Sequence, residues 1–461
     1  MTPTRTEPAP APWYDEARAL TVLAGPIVAT GLAEVAISTT DVVMMGWLGT
    51  AAVAAGILGI HTHGFLYLVG LGLLAAVAPM IAQALGAGRR EQIAPLVRTG
   101  LVIALILSVA GIAVLLNASV VLGWLGQASE VTVRTQTYLS ARVWGLPAQF
   151  GILVLAHLLA AHSRPKPVMV ITLIAIVANA ALNYLLMFGH YGWPALGLTG
   201  AGIASVVVEW AAFIALAIFV ARDRDMGRYR DSAFRWLPDG RELAAMLALG
   251  LPISGAVMAE AGLFLASTFM LGWFGEQQLA AHAVAIQCTA VSYMVPYGIS
   301  QAATVRVGLA VGARNDVGAR RAAWTALIGG TVFTLLPASC FWWLGPELAA
   351  LYLDPADPAN AVALAFAVKF LALAALFQLM DGAQVIAMGA LRGYKDTRIP
   401  MLLAVGAYWG LGFGAALAAA LFLDYGGTGV WVGLVAGLAA AAVMLTLRLA
   451  SLSRPTRGEL R

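Results

Sequence analysis

The chain has 461 residues, of which 61% are hydrophobic and 11% are charged, and its formal net charge is +4. Soluble domains carry about 25% charged residues, so this composition excludes a soluble globular protein and indicates a polytopic membrane protein. The basic residues lie in short loops between apolar segments, which orients a membrane protein, and we expect the lipid bilayer and no nucleic acid as a partner.

Two further observations exclude cysteine-based sites and a cleaved signal peptide. Cys288 and Cys340 are the only cysteines, and both lie in apolar segments, so neither a disulfide framework nor a cysteine-based metal site is expected. The first apolar segment continues to spanning length, which predicts a retained helix rather than a cleaved signal peptide.

Twelve apolar segments follow one another along the chain, and each is long enough to cross a bilayer as a helix. The sequence therefore predicts an all-α protein with twelve transmembrane helices. The predicted spans are residues 17–45, 52–84, 94–117, 135–161, 167–189, 197–221, 243–271, 279–311, 319–344, 361–390, 398–423 and 428–449.

Basic residues follow every even-numbered span, whereas the alternate loops contain almost no Lys or Arg. By the positive-inside rule, this asymmetry places both termini in the cytoplasm, in a cell inner membrane. The expected organisation is a cytoplasmic lead (1–16), an N-lobe (17–221), a basic cytoplasmic linker (222–242), a C-lobe (243–449) and a cytoplasmic tail (450–461).

The two lobes repeat each other. A shift of 226 residues pairs Pro26 with Pro252 and Glu34 with Glu260, and it also pairs Gly46-Trp47 with Gly272-Trp273. Because each lobe contains an even number of spans, the repeats run parallel in the membrane. Transporters with a substrate cleft between two halves are typically built in this way.

Few ionisable residues lie within the spans, and at that depth such residues are costly and usually functional. They include Glu34, Asp41, Arg142, His157, Glu209, Glu260, Arg306, Lys369 and Asp381. Several carboxylates in one bundle suggest cation binding, because a buried carboxylate takes up a proton or, with further oxygen ligands, a sodium ion.

Spacing groups some of these residues. Glu34 and Asp41 are seven residues apart, which is two helical turns on one face. Asn179 and Asn183 form an i, i+4 pair, a spacing that suits either interhelical packing or a shared site. Arg142, Arg306 and Lys369 lie near predicted span ends, and we expect their side chains to anchor the helices at the membrane surface.

Asp381 lies two to three turns before a basic cluster that is expected to mark a cytoplasmic end, and its surroundings carry a recognisable motif. The runs Phe377-Gln378-Leu379-Met380-Asp381-Gly382 and Gly389-Ala390-Leu391-Arg392-Gly393, with Pro252 and Glu260, resemble the multidrug and toxic compound extrusion (MATE) family in its NorM-like branch. The resemblance implies two six-helix lobes that form a V-shaped cleft. It also implies a cation-coupled exporter without a cofactor.

Carried over residue by residue, the family's cation sites correspond to two sets. The C-lobe set is Glu260 and Asp381, with Na⁺ possible there, and the N-lobe set is Asp41, Asn179 and Asn183, to which Glu34 adds a carboxylate. Candidates for the substrate cleft are Gln287, Phe377 and Gln384. Family members often have Gln at the position of Glu34 and Tyr at that of Phe377, and the coupling ion, H⁺ or Na⁺, stays open.

The resulting hypothesis is a monomeric, secondary active antiporter that exports amphipathic, often cationic, drugs by alternating access. A flippase for lipid-linked sugars is the alternative, and it would require a cleft lined by cationic side chains. An enzyme is not expected, because motifs such as HExxH are absent from the sequence, and no catalytic residue is assigned.

Overall fold

The computed structural model describes residues 13–229 and 239–454, and within these ranges it confirms an all-α fold with twelve helices able to span a membrane. The expected lead, linker and tail are described only in part, because residues 1–12, 230–238 and 455–461 lie outside the described residues. We number the helices α1 to α12: Trp13–Gly46, Thr50–Gly86, Arg90–Leu115, Ser129–Ala161, Lys166–Phe188, Gly197–Arg222, Gly240–Gly272, Glu276–Gly312, Asp316–Trp343, Pro358–Gly393, Arg398–Phe422 and Gly426–Leu452.

Several helices are longer than the predicted spans. Helix α1 begins at Trp13, so residues 13–16 form its first turn and do not belong to an extended lead. Helix α10 ends at Gly393, which places Arg392 inside the helix rather than in the following loop. The apolar pattern marks only the lipid-facing length of a helix, whereas the backbone hydrogen bonds continue into its polar ends.

Prolines explain two breaks in the helices. Helix α2 is interrupted at Ala75, and α4 contains a 3₁₀ turn from Val143 to Gly145. Each break begins four residues before a proline, Pro79 or Pro147. The proline ring clashes with the carbonyl four residues earlier and has no N–H to donate, so regular α-helix stops there.

The chain divides into two compact units. Within the described residues, unit 1 contains the chain up to Val28, Ala82–Gly88 and the part from Gly255 onward, and unit 2 contains Ala29–Ile81 and Arg89–Ser254. The first halves of α1 and α7 are thus each grouped with the other repeat. Both boundaries fall two residues after a repeat-related proline, Pro26 or Pro252. The lobe limits drawn from the sequence stay a prediction.

Close contacts at glycines fix the first halves of α1 and α7, which are grouped with the other repeat. In unit 1, a Cβ atom added at Gly298 would overlap Val28, and in unit 2 a Cβ atom added at Gly72 would overlap the backbone of Ser254. The 226-residue shift converts Gly72 to Gly298 and Val28 to Ser254. The same contact is therefore made once in each unit, because only glycine lets two helix backbones approach so closely.

A second pair of glycines forms a reciprocal contact within unit 1. A Cβ atom at Gly86 would overlap the carbonyl oxygen of Leu309, and one at Gly312 would overlap the carbonyl oxygen of Gln83. The same shift relates Gly86 to Gly312 and Gln83 to Leu309. The ends of α2 and α8 thus make the same close contact with each other twice, once through each glycine.

Candidate functional site

Helix α10 carries the first cluster of polar side chains, and all of its residues from 384 to 393 are buried. Asp381 is 3% exposed, and Gln384 lies on the same face, one turn later. The Nε2 atom of Gln384 donates to Glu260 Oε1 on α7, at 3.3 Å, and to the hydroxyl oxygen of Tyr408 on α11. We call Glu260, Asp381, Gln384 and Tyr408 the C-lobe cluster.

Two buried oxygen atoms of the C-lobe cluster lack a hydrogen-bond partner within the described residues: Asp381 Oδ1 and Gln384 Oε1. Buried polar atoms are rarely left unpaired in proteins, so this pair of acceptors points to an additional donor or cation. The carboxylates of Glu260 and Asp381 are also within electrostatic reach of each other. Oxygen ligands suit a hard cation such as Na⁺, and a carboxylate equally accepts a proton.

Tyr408 was not among the residues predicted for this site. It lies in a π-helical stretch of α11, Gly406–Phe413, and its side chain is fully buried. Short π-helical stretches often occur at functional sites, because the wider turn redirects side chains. The only sequence signal was a tyrosine hydroxyl in the middle of an apolar span. Tyr408 brings to the cluster the hydroxyl that Phe377 lacks.

The three expected cleft residues lie in different surroundings. Phe377 is 1% exposed and packs edge-on against Phe264 and Trp431, with ring centroids 5.9 Å apart in both cases. It therefore belongs to an aromatic core of unit 1, in contrast to the expected position on a cleft surface. Gln384 is buried within the C-lobe cluster, and Gln287 on α8 has an exposed side chain.

The second cluster lies in unit 2 and joins α1 to α5. Asn183 Nδ2 donates to Asp41 Oδ1 at 2.5 Å and to Asn179 Oδ1 at 3.1 Å. All three residues are buried. Their i, i+4 spacing on α5 turns both amides toward the Asp41 carboxylate. We call Asp41, Asn179 and Asn183 the N-lobe cluster.

The N-lobe cluster also has unused hydrogen-bonding capacity. Asn179 Nδ2 and Asn183 Oδ1 are buried and have no partner within the described residues. Glu34 lies two turns before Asp41 on α1, but its side chain is exposed and the structure shows no hydrogen bond from it to the cluster. The structure thus brings three of the four expected N-lobe residues into contact and leaves Glu34 as a separate carboxylate.

An ion pair that the sequence did not reveal lies in the same unit. Arg142 on α4 donates to both carboxylate oxygens of Glu209 on α6, at 2.7 and 2.5 Å, and Gln149 Nε2 donates to Glu209 Oε1 at 2.6 Å. The Arg142 and Glu209 side chains are only 11% and 17% exposed. A Cβ atom at Gly145 would overlap both charged groups, so the ion pair needs a glycine there.

The expectation that arginines near span ends act as surface anchors is therefore wrong for two of them. Arg142 pairs with Glu209, and Arg306 Nε donates to Glu16 Oε1 at 2.8 Å within unit 1. A carboxylate on another helix neutralises each guanidinium, so neither is free to act as a surface anchor. Lys369 is exposed, with its ammonium 5.5 Å from the Phe366 ring centroid, as an anchor would be.

The comparisons with known proteins agree with this architecture. The family model MatE matches residues 26–185 and 252–417, one match in each repeat. A protein named "Probable multidrug resistance protein NorM" from Mesorhizobium japonicum is 39% identical over 439 residues, covering 95% of this chain and 94% of the relative. A protein of the same name from Rhizobium meliloti is 39% identical over 442 residues, covering 96% and 95%.

Solved structures show the same fold at low sequence identity. The eukaryotic MATE transporter AtDTX14 superposes with a TM-score of 0.85 at 20% identity, covering 96% of this chain and 99% of that chain. A mutant of the MATE transporter VcmN of Vibrio cholerae gives 0.86 at 17% identity, covering 97% and 99%. The repeats, the twelve helices and these relatives together show that the chain belongs to the MATE family, in its NorM branch, and is a multidrug efflux transporter.

Proposed function

We propose that this transporter is a secondary active antiporter. A cation, H⁺ or Na⁺, enters down its gradient and drives the export of amphipathic, often cationic, drugs across the inner membrane. The observation that carries the proposal is a buried carboxylate, Asp381, which interacts electrostatically with Glu260 and has one oxygen without a partner among the described residues. A site with buried acceptors and excess negative charge is suited to bind and release a positive charge.

Competition between cation and drug explains the coupling. When a proton or a sodium ion neutralises Asp381 or Glu260, the C-lobe cluster no longer attracts a cationic substrate. When the ion leaves, the carboxylates become available to a substrate cation. Alternating occupancy of one set of charges is thus a basis for antiport, in which each ligand shifts the conformational equilibrium by its difference in affinity for the two states.

Roles for the individual residues follow from their contacts. Gln384 and Tyr408 position Glu260 in the C-lobe cluster, while Asn179 and Asn183 hold the Asp41 carboxylate in the N-lobe cluster. Glu34 offers an exposed carboxylate, and Gln287 an exposed amide, to a substrate. We assign Phe377 to packing. The protein acts as a monomer with both termini in the cytoplasm.

Efflux from proteoliposomes under separately imposed Na⁺ and pH gradients tests this proposal. We expect Asp381→Asn or Glu260→Gln to lower the initial rate of ethidium efflux at least about tenfold under the gradient that serves the C-lobe cluster, because loss of a buried binding charge costs about 2 kcal/mol or more. The same measurement on Asp41→Asn identifies the gradient that serves the N-lobe cluster. Glu276→Gln is a matched control, because Glu276 is exposed at the start of α8.

Two results would contradict the proposal. One is ethidium efflux that persists in a variant carrying both Asp381→Asn and Asp41→Asn. The other is wild-type efflux that does not respond to either imposed gradient.

A further inference from the structure

Arg392 is a buried guanidinium that forms no ion pair with any of the described acidic residues. It lies in the last turn of α10 and is 8% exposed. Its Nη2 atom lies 3.3 Å from the sulfur of Met388, and its Nε atom is buried with no hydrogen-bond partner within the described residues. Within those residues, Arg142 and Arg306 each have a carboxylate within ion-pair distance, and Arg392 has none.

The Met388 contact shows where the guanidinium lies. Met388 precedes Arg392 by one helical turn, so the long side chain folds back along α10 toward Asp381. Gln384, the residue that contacts Glu260, is one further turn along. Measured along α10, the guanidinium therefore lies about one turn, roughly 6 Å, from Gln384 and the Glu260 carboxylate, toward the C-terminal end of the helix.

The surroundings of Arg392 are those of the C-lobe cluster. Glu260 from α7, Tyr293 and Tyr297 from α8, and Tyr408 from α11 interact with it electrostatically. Glu260 in turn interacts with Arg392. Among the described residues, the charged groups of the C-lobe cluster and Arg392 are together two carboxylates, Glu260 and Asp381, and one guanidinium. Their formal charges sum to −1, because an arginine keeps its proton in proteins.

We propose that Arg392 is the third charged group of the C-lobe site and limits that site to one net positive charge. The site then takes one monovalent cation, or a substrate with a single positive charge, and disfavours a dication. This inference rests on the proposed antiport function and adds its charge selectivity. It also implies that the site exchanges one positive charge on the coupling ion for one positive charge on the substrate.

The physical basis is the electrostatic repulsion between Arg392 and the ligand, which increases with the number of positive charges on the ligand. Its positive charge repels a monovalent ligand once and a divalent ligand twice, and burial weakens the screening by water. Removing that charge therefore favours the dication over the monovalent ligand by one additional charge–charge interaction. Arg392 thus sets a ratio of rates, whereas a merely structural role would lower both rates together.

The test compares efflux of ethidium, which carries one positive charge, with efflux of methyl viologen, which carries two, from the same proteoliposomes. For Arg392→Gln we expect the ratio of ethidium to methyl viologen rates to fall at least about tenfold below the wild-type ratio, as one charge–charge interaction is lost. Arg392→Lys keeps the charge and should keep the ratio within about twofold.

A second variant keeps the test decisive if Arg392→Gln fails to fold. Met388→Glu places a carboxylate beside the guanidinium at the favourable i, i+4 spacing, so it neutralises Arg392 without removing it. We expect the same fall in the ratio, whereas the control Met388→Gln should leave the ratio unchanged. A wild-type ratio in Met388→Glu or in folded Arg392→Gln would overturn the inference. Absence of gradient-driven ethidium efflux in the wild type would instead contradict the proposed function.

Discussion

At the scale of residues, the charged side chains of the helices differ in whether they form an ion pair. Arg142 with Glu209, and Arg306 with Glu16, are ion pairs at hydrogen-bonding distance. A paired charge is neutralised within the protein and is not available to a ligand. Among the described residues, the carboxylates of the C-lobe and N-lobe clusters have no arginine at that distance, so no ion pair neutralises their charge.

The Arg142–Glu209 pair should matter for stability when only one partner is removed. Replacing one member of a buried pair leaves an uncompensated charge, which costs about 3–5 kcal/mol, whereas replacing both by apolar residues is often neutral. We therefore expect Glu209→Gln and Arg142→Gln to lower the apparent unfolding temperature clearly, and the Arg142→Met, Glu209→Leu double variant to restore most of the loss. Heating in detergent followed by size-exclusion chromatography measures this.

If the single and double variants lowered the unfolding temperature equally, the two side chains would stabilise the protein by shape and hydrogen bonding rather than by charge balance. Glu130→Gln is the matched control. Glu130 forms an exposed i, i+4 pair with Arg134, and such surface pairs contribute less than about 1 kcal/mol.

At the scale of elements, glycines decide which helices pack together. Gly72 and Gly298 allow the starts of α7 and α1 to pack against α2 and α8, and Gly86 and Gly312 join the ends of α2 and α8. In lipid, helices gain little from hydrophobic burial, so close backbone contact through small residues has to supply the packing energy. The apolar pattern predicted where the helices are, but it contained no information on these partners.

The reciprocal contact predicts equal effects at two distant positions. A methyl group at Gly86 or at Gly312 would overlap a carbonyl oxygen of the facing helix, and overpacking of this kind costs about 1–3 kcal/mol. We expect Gly86→Ala and Gly312→Ala to lower the unfolding temperature to a similar extent. In Gly329→Ala on α9, no atom of the described residues lies within 4 Å of the added methyl group, so this variant should be neutral or slightly stabilising.

A large loss in only one of the two variants would mean that the repeat-related contacts are not equivalent in the folded protein. If Gly329→Ala lowered the unfolding temperature by the same amount, the helices would require glycine for its flexibility rather than for close packing.

At the scale of the whole molecule, the distribution of basic loops predicts one orientation. We expect single cysteines introduced at Gln127 and Ala356, in a variant with both native cysteines replaced by alanine, to react with a membrane-impermeant maleimide in intact cells. Cysteines at Arg89 and Arg224 should react only after the membrane is permeabilised, because the positive-inside rule places those loops in the cytoplasm. All four positions are exposed. The opposite labelling pattern would invert the topology.

The sequence predicted the twelve helices and the repeat because both depend on local composition and on a fixed spacing. It failed where function depends on contacts between distant segments. Glu209 is 67 residues from Arg142, and no periodicity links two helices at such a separation. Arg392 lies two residues beyond the predicted span 361–390, because a basic side chain near an apolar boundary looks the same whether it is exposed or folded back along the helix.

The ion pair between Glu16 and Arg306 has a consequence for how the protein is made. The two residues are 290 positions apart in the chain. At a synthesis rate of about 5–20 residues per second, the carboxylate at the start of α1 waits roughly 15 to 60 seconds before its guanidinium partner leaves the ribosome. During that interval, the first helix of the nascent protein must be held by lipid, by the insertion machinery or by a temporary contact.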